Sequence, residues 1–194
     1  LAPSVTAYES EEPDEVPFSI TLSERSRPRR LSVHDIMDDS VYDDVADGRG
    51  TEFGDKLHQF AEDYVRNKTI SPTDDDQENV AALLDSLDGK CTAETTAILP
   101  LNVDPQITLV GIIDLLVVTP EQVRIIDYKT DLSRHAESEY RKQLSAYYHV
   151  ASEQYPDREI SIEVFYTAMN ELIDLSPLGI ENLQELAIAA APQQ

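Results

Sequence analysis

Between Thr51 and Arg66, apolar side chains return every three or four residues. Phe53, Leu57, Phe60 and Tyr64 carry that spacing, which predicts an amphipathic α-helix through about Arg66. A polar, Asp-rich loop over Ser71–Asp76 separates it from a second helix, whose Val80, Leu83, Leu84 and Leu87 share one side and which Gly89 stops. The pattern then changes. Thr92–Leu101, Thr108–Val118 and Val123–Tyr128 are rich in Ile, Val, Leu and Thr, with breaks at Pro100–Pro105 and Thr119–Gln122. They read as three consecutive strands, the second and third joined by a tight Pro-containing turn. A long helix over about Ala136–Gln154 follows, with Tyr140, Leu144, Tyr147, Tyr148 and Ala151 on its buried side. Ile160–Thr167 reads as another strand, Leu172–Leu175 as its hairpin partner, and Ile180–Ala190 as a closing helix. This order predicts an α/β fold, a mixed sheet with helices packed against it.

Residues 1–30 show no such pattern. Pro3, Pro13, Pro17 and Pro28 stand among acids, and Arg25, Arg27, Arg29 and Arg30 form a late basic cluster. The segment reads as a linker or the edge of a preceding domain, with at most one short strand near Phe18–Leu22. Ser32 is a suitable N-cap for a short helix over Val33–Asp38, and the acidic stretch Asp38–Asp47 reads as a loop. One domain is expected over residues 31–194. The start at Leu1, in a stretch without signal-peptide features, reads as that of an excised piece of a longer polypeptide.

Composition changes this picture in two places. No apolar run approaches the roughly 20 residues that span a bilayer, and the single cysteine, Cys91, can form neither an internal disulfide nor a four-cysteine metal site. A cytoplasmic setting without a membrane partner is expected. The net charge of −23 and pI near 4.2 are unusual for a protein that meets a polyanion, since such affinity rests on Lys and Arg. The acids are dispersed, and lysine occurs only at positions 56, 68, 90, 129 and 142. An Asp-rich, Lys-poor surface of this kind fits a salt-loaded cytoplasm, that of a halophile, where the Debye length falls to about 3 Å and repulsion is screened.

Candidate chemistry is concentrated in the stretch from Gly111 to Asp131. Asp114 interrupts an apolar strand, and Asp127 and Lys129 end the next one. Strand side chains alternate, so Asp127 and Lys129 face one side and Tyr128 the other. A tight antiparallel turn brings Asp114 beside Asp127. Carboxylates placed in a strand core are costly unless neutralised, and a hard divalent cation with oxygen ligands does this. Lys129 adds a charge that can orient a water or stabilise an attacked phosphate. An Asp in a strand, or an Asp-x-Lys pair, is by itself an ordinary surface feature; the joint pattern is the apparatus of metal-assisted phosphodiester hydrolysis.

Gly111-x-x-Asp114 followed by Asp127-Tyr128-Lys129-Thr130 resembles the core of PD-(D/E)XK nucleases, in their RecB-like branch. Gly50-Thr51 followed by His58 and Glu62 is similar to that branch's first motif, and Tyr140-x-x-Gln143-x-x-x-Tyr147 to its helical Gln-x-x-x-Tyr motif. The four elements keep the family's order over about Arg49–Ala151. The resemblance implies a restriction-endonuclease-like mixed central β-sheet flanked by α-helices, and a nuclease that uses Mg²⁺ or Mn²⁺. It implies that Asp114 and Asp127 are acidic metal ligands, with the Tyr128 backbone carbonyl as a third oxygen and His58 completing the shell. Lys129 corresponds to the catalytic lysine, and Gln143 and Tyr147 to residues that position Lys129 or the DNA backbone. Glu62 is a candidate support for His58 and Glu94, on the first strand, a further candidate near the metal. His34, His135 and His149 show no partner spacing. The chain departs from some relatives in lacking the cysteines of an iron–sulfur cluster, and its spacer between Gly50-Thr51 and His58 is long.

What the resemblance implies about function is a nuclease domain of a UvrD/Rep-like, AddA- or RecB-type helicase–nuclease. Such a domain cuts single-stranded DNA or DNA ends in recombination and repair, as an exonuclease rather than an endonuclease. No Walker motif is present in the chain, so the motor would be another domain or partner. The alternative is a catalytically silent scaffold of the same fold that binds DNA ends without needing a divalent ion. An acidic interaction protein is the third reading, supported by net charge alone.

Overall fold

The computed structural model describes residues 28–42 and 49–192. Helix α1 (Thr51–Arg66) has the predicted bounds and buries Leu57, Phe60, Ala61 and Tyr64. Helix α2 (Asp75–Ser86) starts at Asp74, whose side chain accepts the Gln77 N–H at 2.9 Å, and carries Asp75, Asp76 and Glu78 in its first turn, where the helix dipole favours anions. It ends before Gly89. That glycine instead makes the turn into the sheet at φ +116°, where an added Cβ would lie 2.8 Å from the Val118 carbonyl oxygen.

Among the described residues there are six strands: β1 (Arg29–Ser32), β2 (Lys90–Leu101), β3 (Ile107–Val118), β4 (Gln122–Lys129), β5 (Glu159–Tyr166) and β6 (Glu171–Leu175); the last five follow the predicted order. Helix α3 (Glu137–Gln154) connects β4 to the parallel strand β5, and α4 (Ile180–Ala190) closes the chain. β2 runs antiparallel to the whole of β3. The opposite edge of β3 is shared: Ile107–Val110 pair in parallel with β1, and Leu115–Val118 pair antiparallel with β4. Between these pairings, Gly111–Asp114 face a gap in the ladder. β4 continues past the gap on β5, with Asp127 opposite Val164 and Lys129 opposite Tyr166.

Helices cover both faces, as a mixed sheet with apolar residues on each side requires. Tyr140, Leu144 and Tyr147 of α3 and Leu183 of α4 pack on Leu109, Ile125 and Val164. Leu57, Phe60 and Tyr64 of α1 and Val80 and Leu84 of α2 pack on Leu115, Val117, Ile126 and Phe165. Ile107, Leu109 and Ile113 belong to the α3 side while Leu115 and Val117 belong to the α1 side. Strict alternation would keep these odd-numbered residues on one face, so the strand changes face around Asp114. Across the β2–β3 ladder at this point stands Glu94, in the left-handed region at φ 52°.

Two features of the N-terminal region differ from expectation. Arg29 and Arg30, which the sequence pattern assigns to a linker, are the first residues of β1, and their parallel partner lies far along the chain. The short helix after Ser32 is a 3-10 turn (Val33–Ile36), capped as expected: Ser32 Oγ accepts the His34 N–H and Asp35 accepts the Ser32 N–H at 2.7 Å. A second 3-10 turn occupies Asp39–Tyr42, within the acidic stretch read as a loop. Phe18–Leu22 lie outside the described residues. No described helix is long and apolar enough to cross a membrane.

Gly111 admits α3 to the edge of the gap. A Cβ at this position would lie 2.5 Å from the Tyr147 hydroxyl and 2.7 Å from Val33 Cγ2. Gly111→Ala should therefore destabilise the fold by about 1–3 kcal/mol, the usual cost of overpacking, measured by urea unfolding. A neutral result would show that Tyr147 withdraws freely.

Candidate metal centre and active site

The gap in the β3 edge frees Asp114 from ladder pairing and lets its side chain take over part of the missing hydrogen bonding. Asp114 Oδ2 accepts the Tyr128 backbone N–H at 2.9 Å, and Oδ1 lies 3.4 Å from His58 Nδ1 on α1. Tyr128 itself points away, its ring in the α1-side core, edge-on to His58 at 5.9 Å between centroids. Glu94 completes a group: one ligand atom from each of His58, Glu94 and Asp114 lies within 4.8 Å of the other two.

Asp127 and Lys129 share a face, as alternation predicts. Lys129 Nζ is 2.6 Å from Asp127 Oδ2, 3.5 Å from Gln143 Oε1 and 4.5 Å from the Tyr140 ring centroid. Gln143 donates Nε2 to Asp127 Oδ1 at 3.1 Å and to the Tyr147 hydroxyl at 3.3 Å. That hydroxyl also lies against the backbone of Gly111, inside the gap. One turn of α3 thus ties Asp127, Lys129 and the unpaired edge of β3 together. Asp127 is not one of the three clustered ligands; apart from the Lys129 ammonium, its Oδ2 has no hydrogen-bonding partner.

The electrostatics show an excess of negative charge. Burial, reinforced by the charge of Asp114, raises the Glu94 carboxyl. Burial also pushes Asp127 up to about 6, with Lys129 opposing and Asp114 adding to the shift. For Asp114, burial acts upward but is outweighed by the His58 hydrogen bond and the charges of His58 and Lys129, which hold the carboxyl below its ordinary value. Burial would lower Lys129, yet the adjoining Asp127 and Asp114 charges keep it raised and so protonated. Two carboxylates directly across a ladder, Glu94 and Asp114, destabilise a sheet unless a cation lies between them. A hard divalent ion suits this set of two carboxylates and an imidazole, with Asp127 adjacent.

Two clefts meet here. The larger, about 980 Å³, runs along the gap between α1 and β1, and the smaller, about 280 Å³, lies beyond Lys129 toward Arg49 and Thr130. The rim of the smaller cleft is braced by Arg49, which forks onto Asp76 at 3.0 and 2.5 Å and donates to the Thr130 carbonyl at 3.0 Å. Thr167 Oγ1 donates to the same Asp76 at 2.5 Å.

His58, Glu94, Asp114, Asp127, Tyr128, Lys129, Gln143 and Tyr147 all lie at or beside this centre, whereas Glu62 lines the larger cleft but pairs with Arg66 rather than supporting His58. Glu94 was legible only as a neighbour on the first strand, because its left-handed backbone carries no sequence signal. His34 had no partner spacing, yet it lines the larger cleft. The Arg49–Asp76 brace had no local pattern at all.

The solved structure of SSO0001 is similar to this chain in fold, with a TM-score of 0.53 at 14% identity over 87% of this chain and 77% of that one. No curated protein matches the chain significantly. The sequence profile of the PD-(D/E)XK nuclease superfamily matches residues 87–191, a span that holds Glu94, Asp114, Asp127, Lys129 and Gln143 in one continuous segment. More than half of the chain is covered, and the chain belongs to the PD-(D/E)XK nuclease superfamily.

Proposed function

We propose that this domain is a Mg²⁺- or Mn²⁺-dependent deoxyribonuclease that hydrolyses single-stranded DNA or DNA ends. The observation that carries the reading is the convergence of His58, Glu94 and Asp114 ligand atoms within 4.8 Å, beside a buried lysine paired to a second aspartate. Asp114, Glu94 and His58 would hold the ion, and Asp127 and the Tyr128 carbonyl would be the further oxygens offered to it. The ion supplies Lewis acidity toward a phosphodiester oxygen and lowers the pKa of a water. Lys129, protonated and anchored by Asp127 and Gln143, stabilises charge on the attacked phosphate and orients the water. Water adds to phosphorus as one bridging P–O bond breaks; the water's proton passes to solvent and the leaving oxygen takes one up from it. Gln143 and Tyr147 hold Lys129 and Asp127 in register with Asp114. His58 acts as a neutral ligand, which requires loss of the proton that Asp114 favours; burial opposes that proton.

Family resemblance extends the proposal to a RecB-like exonuclease attached to a helicase in recombination or repair, in a cytoplasm of high salt. The dispersed acidity supports the salt, and the lone Cys91 supports the compartment. Incubation with end-labelled single-stranded DNA and Mg²⁺ or Mn²⁺ in molar salt tests the core claim. Cleavage that chelator abolishes is expected; no cleavage, or cleavage unchanged in Asp127→Ala and Lys129→Ala, contradicts it. Glu94→Gln should weaken Mn²⁺ binding by about 10–100-fold, the range seen when a metal site loses a supporting group, read by electron paramagnetic resonance. Unaltered affinity would remove Glu94 from the centre.

A further inference from the structure

The larger cleft has a floor that the metal centre does not use. Along β3, Thr108, Val110 and Ile112 precede Asp114 at two-residue steps, and the ladders place Pro100, Ile98 and Thr96 beside them on β2. On the other edge Arg30 stands opposite Thr108 and Ser32 opposite Val110. Ile98 and Ile112 are 54% and 50% exposed, two of the four large apolar side chains so exposed among the described residues. A strip of sheet with apolar side chains outward therefore leads from Asp114 to Arg30. At about 3.3 Å per residue its length is roughly 20 Å.

The α1 wall carries carboxylates, and the β1 wall carries the Arg30 guanidinium beside His34, whose imidazole is held below its ordinary pKa by burial. On α1, Asp55 and Glu62 line the cleft, and Glu62 is neutralised by Arg66. On the β1 side are Arg30 and His34. Among the described residues no carboxylate pairs with Arg30, whereas Arg49, Lys56, Arg66, Lys68, Arg124, Lys129, Arg134 and Lys142 all have one. In a chain of charge −23, an arginine left unpaired in the cleft that ends at the metal centre is a cation available to a ligand.

We propose that this strip is the track of a single nucleic-acid strand, with phosphates along the β1 wall at Arg30 and His34 and bases over Ile112, Val110 and Ile98. Acidic α1 turns the phosphates toward β1, and apolar floor residues suit the faces of unpaired bases. Arg30 is then a positioning residue, one that binds the strand some 20 Å from the reacting phosphate and takes no part in the chemistry. The inference rests on the nuclease reading for the direction in which the strand leads, but its binding test does not.

The test is fluorescence anisotropy of a labelled 12-nucleotide oligodeoxythymidine over a salt series, with Arg30→Glu, Arg30→Gln, Ile98→Glu and, as a control, Lys90→Glu. Lys90 is exposed and among the described residues also has no carboxylate partner, but it lies at the far end of β2. Arg30→Glu and Ile98→Glu should each weaken binding by about tenfold, and Arg30→Gln should flatten the log–log salt slope by about 0.7, the loss of one single-strand phosphate contact. Melting temperatures of the variants should match the parent, since these side chains are exposed. Binding by Arg30→Glu equal to the parent, or equal weakening by Lys90→Glu, overturns the track. Arg30-dependent binding without any cleavage would retain the track and refute the nuclease, and cleavage indifferent to Arg30 would do the reverse.

Discussion

Lys129→Met should lower the rate of single-turnover strand cleavage by about 10³-fold, the upper range for removing one preorganised charge donor, while Mn²⁺ affinity stays within a few-fold of the parent. The separation follows from where the ammonium sits. Lys129 Nζ is held by Asp127 at 2.6 Å and by the Tyr140 ring, and its side chain is 16% exposed. It is not among the three clustered ligand groups. Methionine removes the charge with little change of volume, and the Asp127 carboxyl, already raised by burial, then loses the ammonium paired to it. Lys129→Arg should recover only part of the rate, because a planar guanidinium cannot occupy the place of a compact ammonium. Metal affinity that fell together with the rate would show that Lys129 acts by assembling the centre instead of by stabilising the reacting phosphate.

Asp76→Ala should cost about 3–5 kcal/mol, the usual penalty for leaving one partner of a buried ion pair uncompensated. At roughly 2–4 °C per kcal/mol for a chain of this size, the melting temperature should fall by about 10 °C. Asp76 is 4% exposed and joins three elements, taking Arg49 and the Thr167 hydroxyl while Arg49 reaches on to the Thr130 carbonyl. The end of β4, and with it Lys129, is braced from outside the sheet. Burial acts to raise the Asp76 carboxyl, but the Arg49 and Thr167 hydrogen bonds outweigh it and hold the group below its ordinary value. A carboxylate depressed in the folded state contributes stability that is complete above its unfolded pKa and is lost as pH falls through the folded one. The difference in stability between parent and Asp76→Ala should thus be constant near neutrality and shrink below about pH 4. A difference that stayed constant into acid would mean that the charge of Asp76 contributes nothing.

The sequence carried the parts of this fold that depend on local period. Phe53, Leu57, Phe60 and Tyr64 define α1 to its last turn, and the change from helical to alternating spacing after Gly89 marks the sheet. The face shared by Asp127 and Lys129 follows from alternation alone, as does the separation of Gln143 and Tyr147 by one turn. What stayed hidden depends on contacts distant in sequence. β1 is four residues long, two of them arginines, and its partner on β3 is found only in the folded chain. Glu94 enters the centre through a left-handed backbone that residue type does not announce. Asp127 and Asp114 are similar in sequence context, yet one faces the ligand cluster and the other a lysine, a distinction made by the ladder gap at Gly111–Asp114.

The belonging of this chain to a nuclease superfamily makes its charge more informative. Dispersed acids keep DNA away at low ionic strength, and the described cations are mostly neutralised by partners. Arg30 is the described arginine without a carboxylate partner that lines the cleft ending at the metal centre. In molar salt the general repulsion is screened within a few ångströms, about 3 Å, and these short-range contacts decide binding.

Whether His58, Glu94 and Asp114 share one ion is decided by a Mn²⁺ soak of the crystallised domain, read by anomalous scattering. A peak is expected in coordination contact with the carboxylates of Asp114 and Glu94 and with His58, adjacent to Asp127, and should be lost in Asp114→Asn. A peak confined to other acids such as Asp55 and Glu62, or no peak at these residues while the protein cleaves DNA, would contradict it.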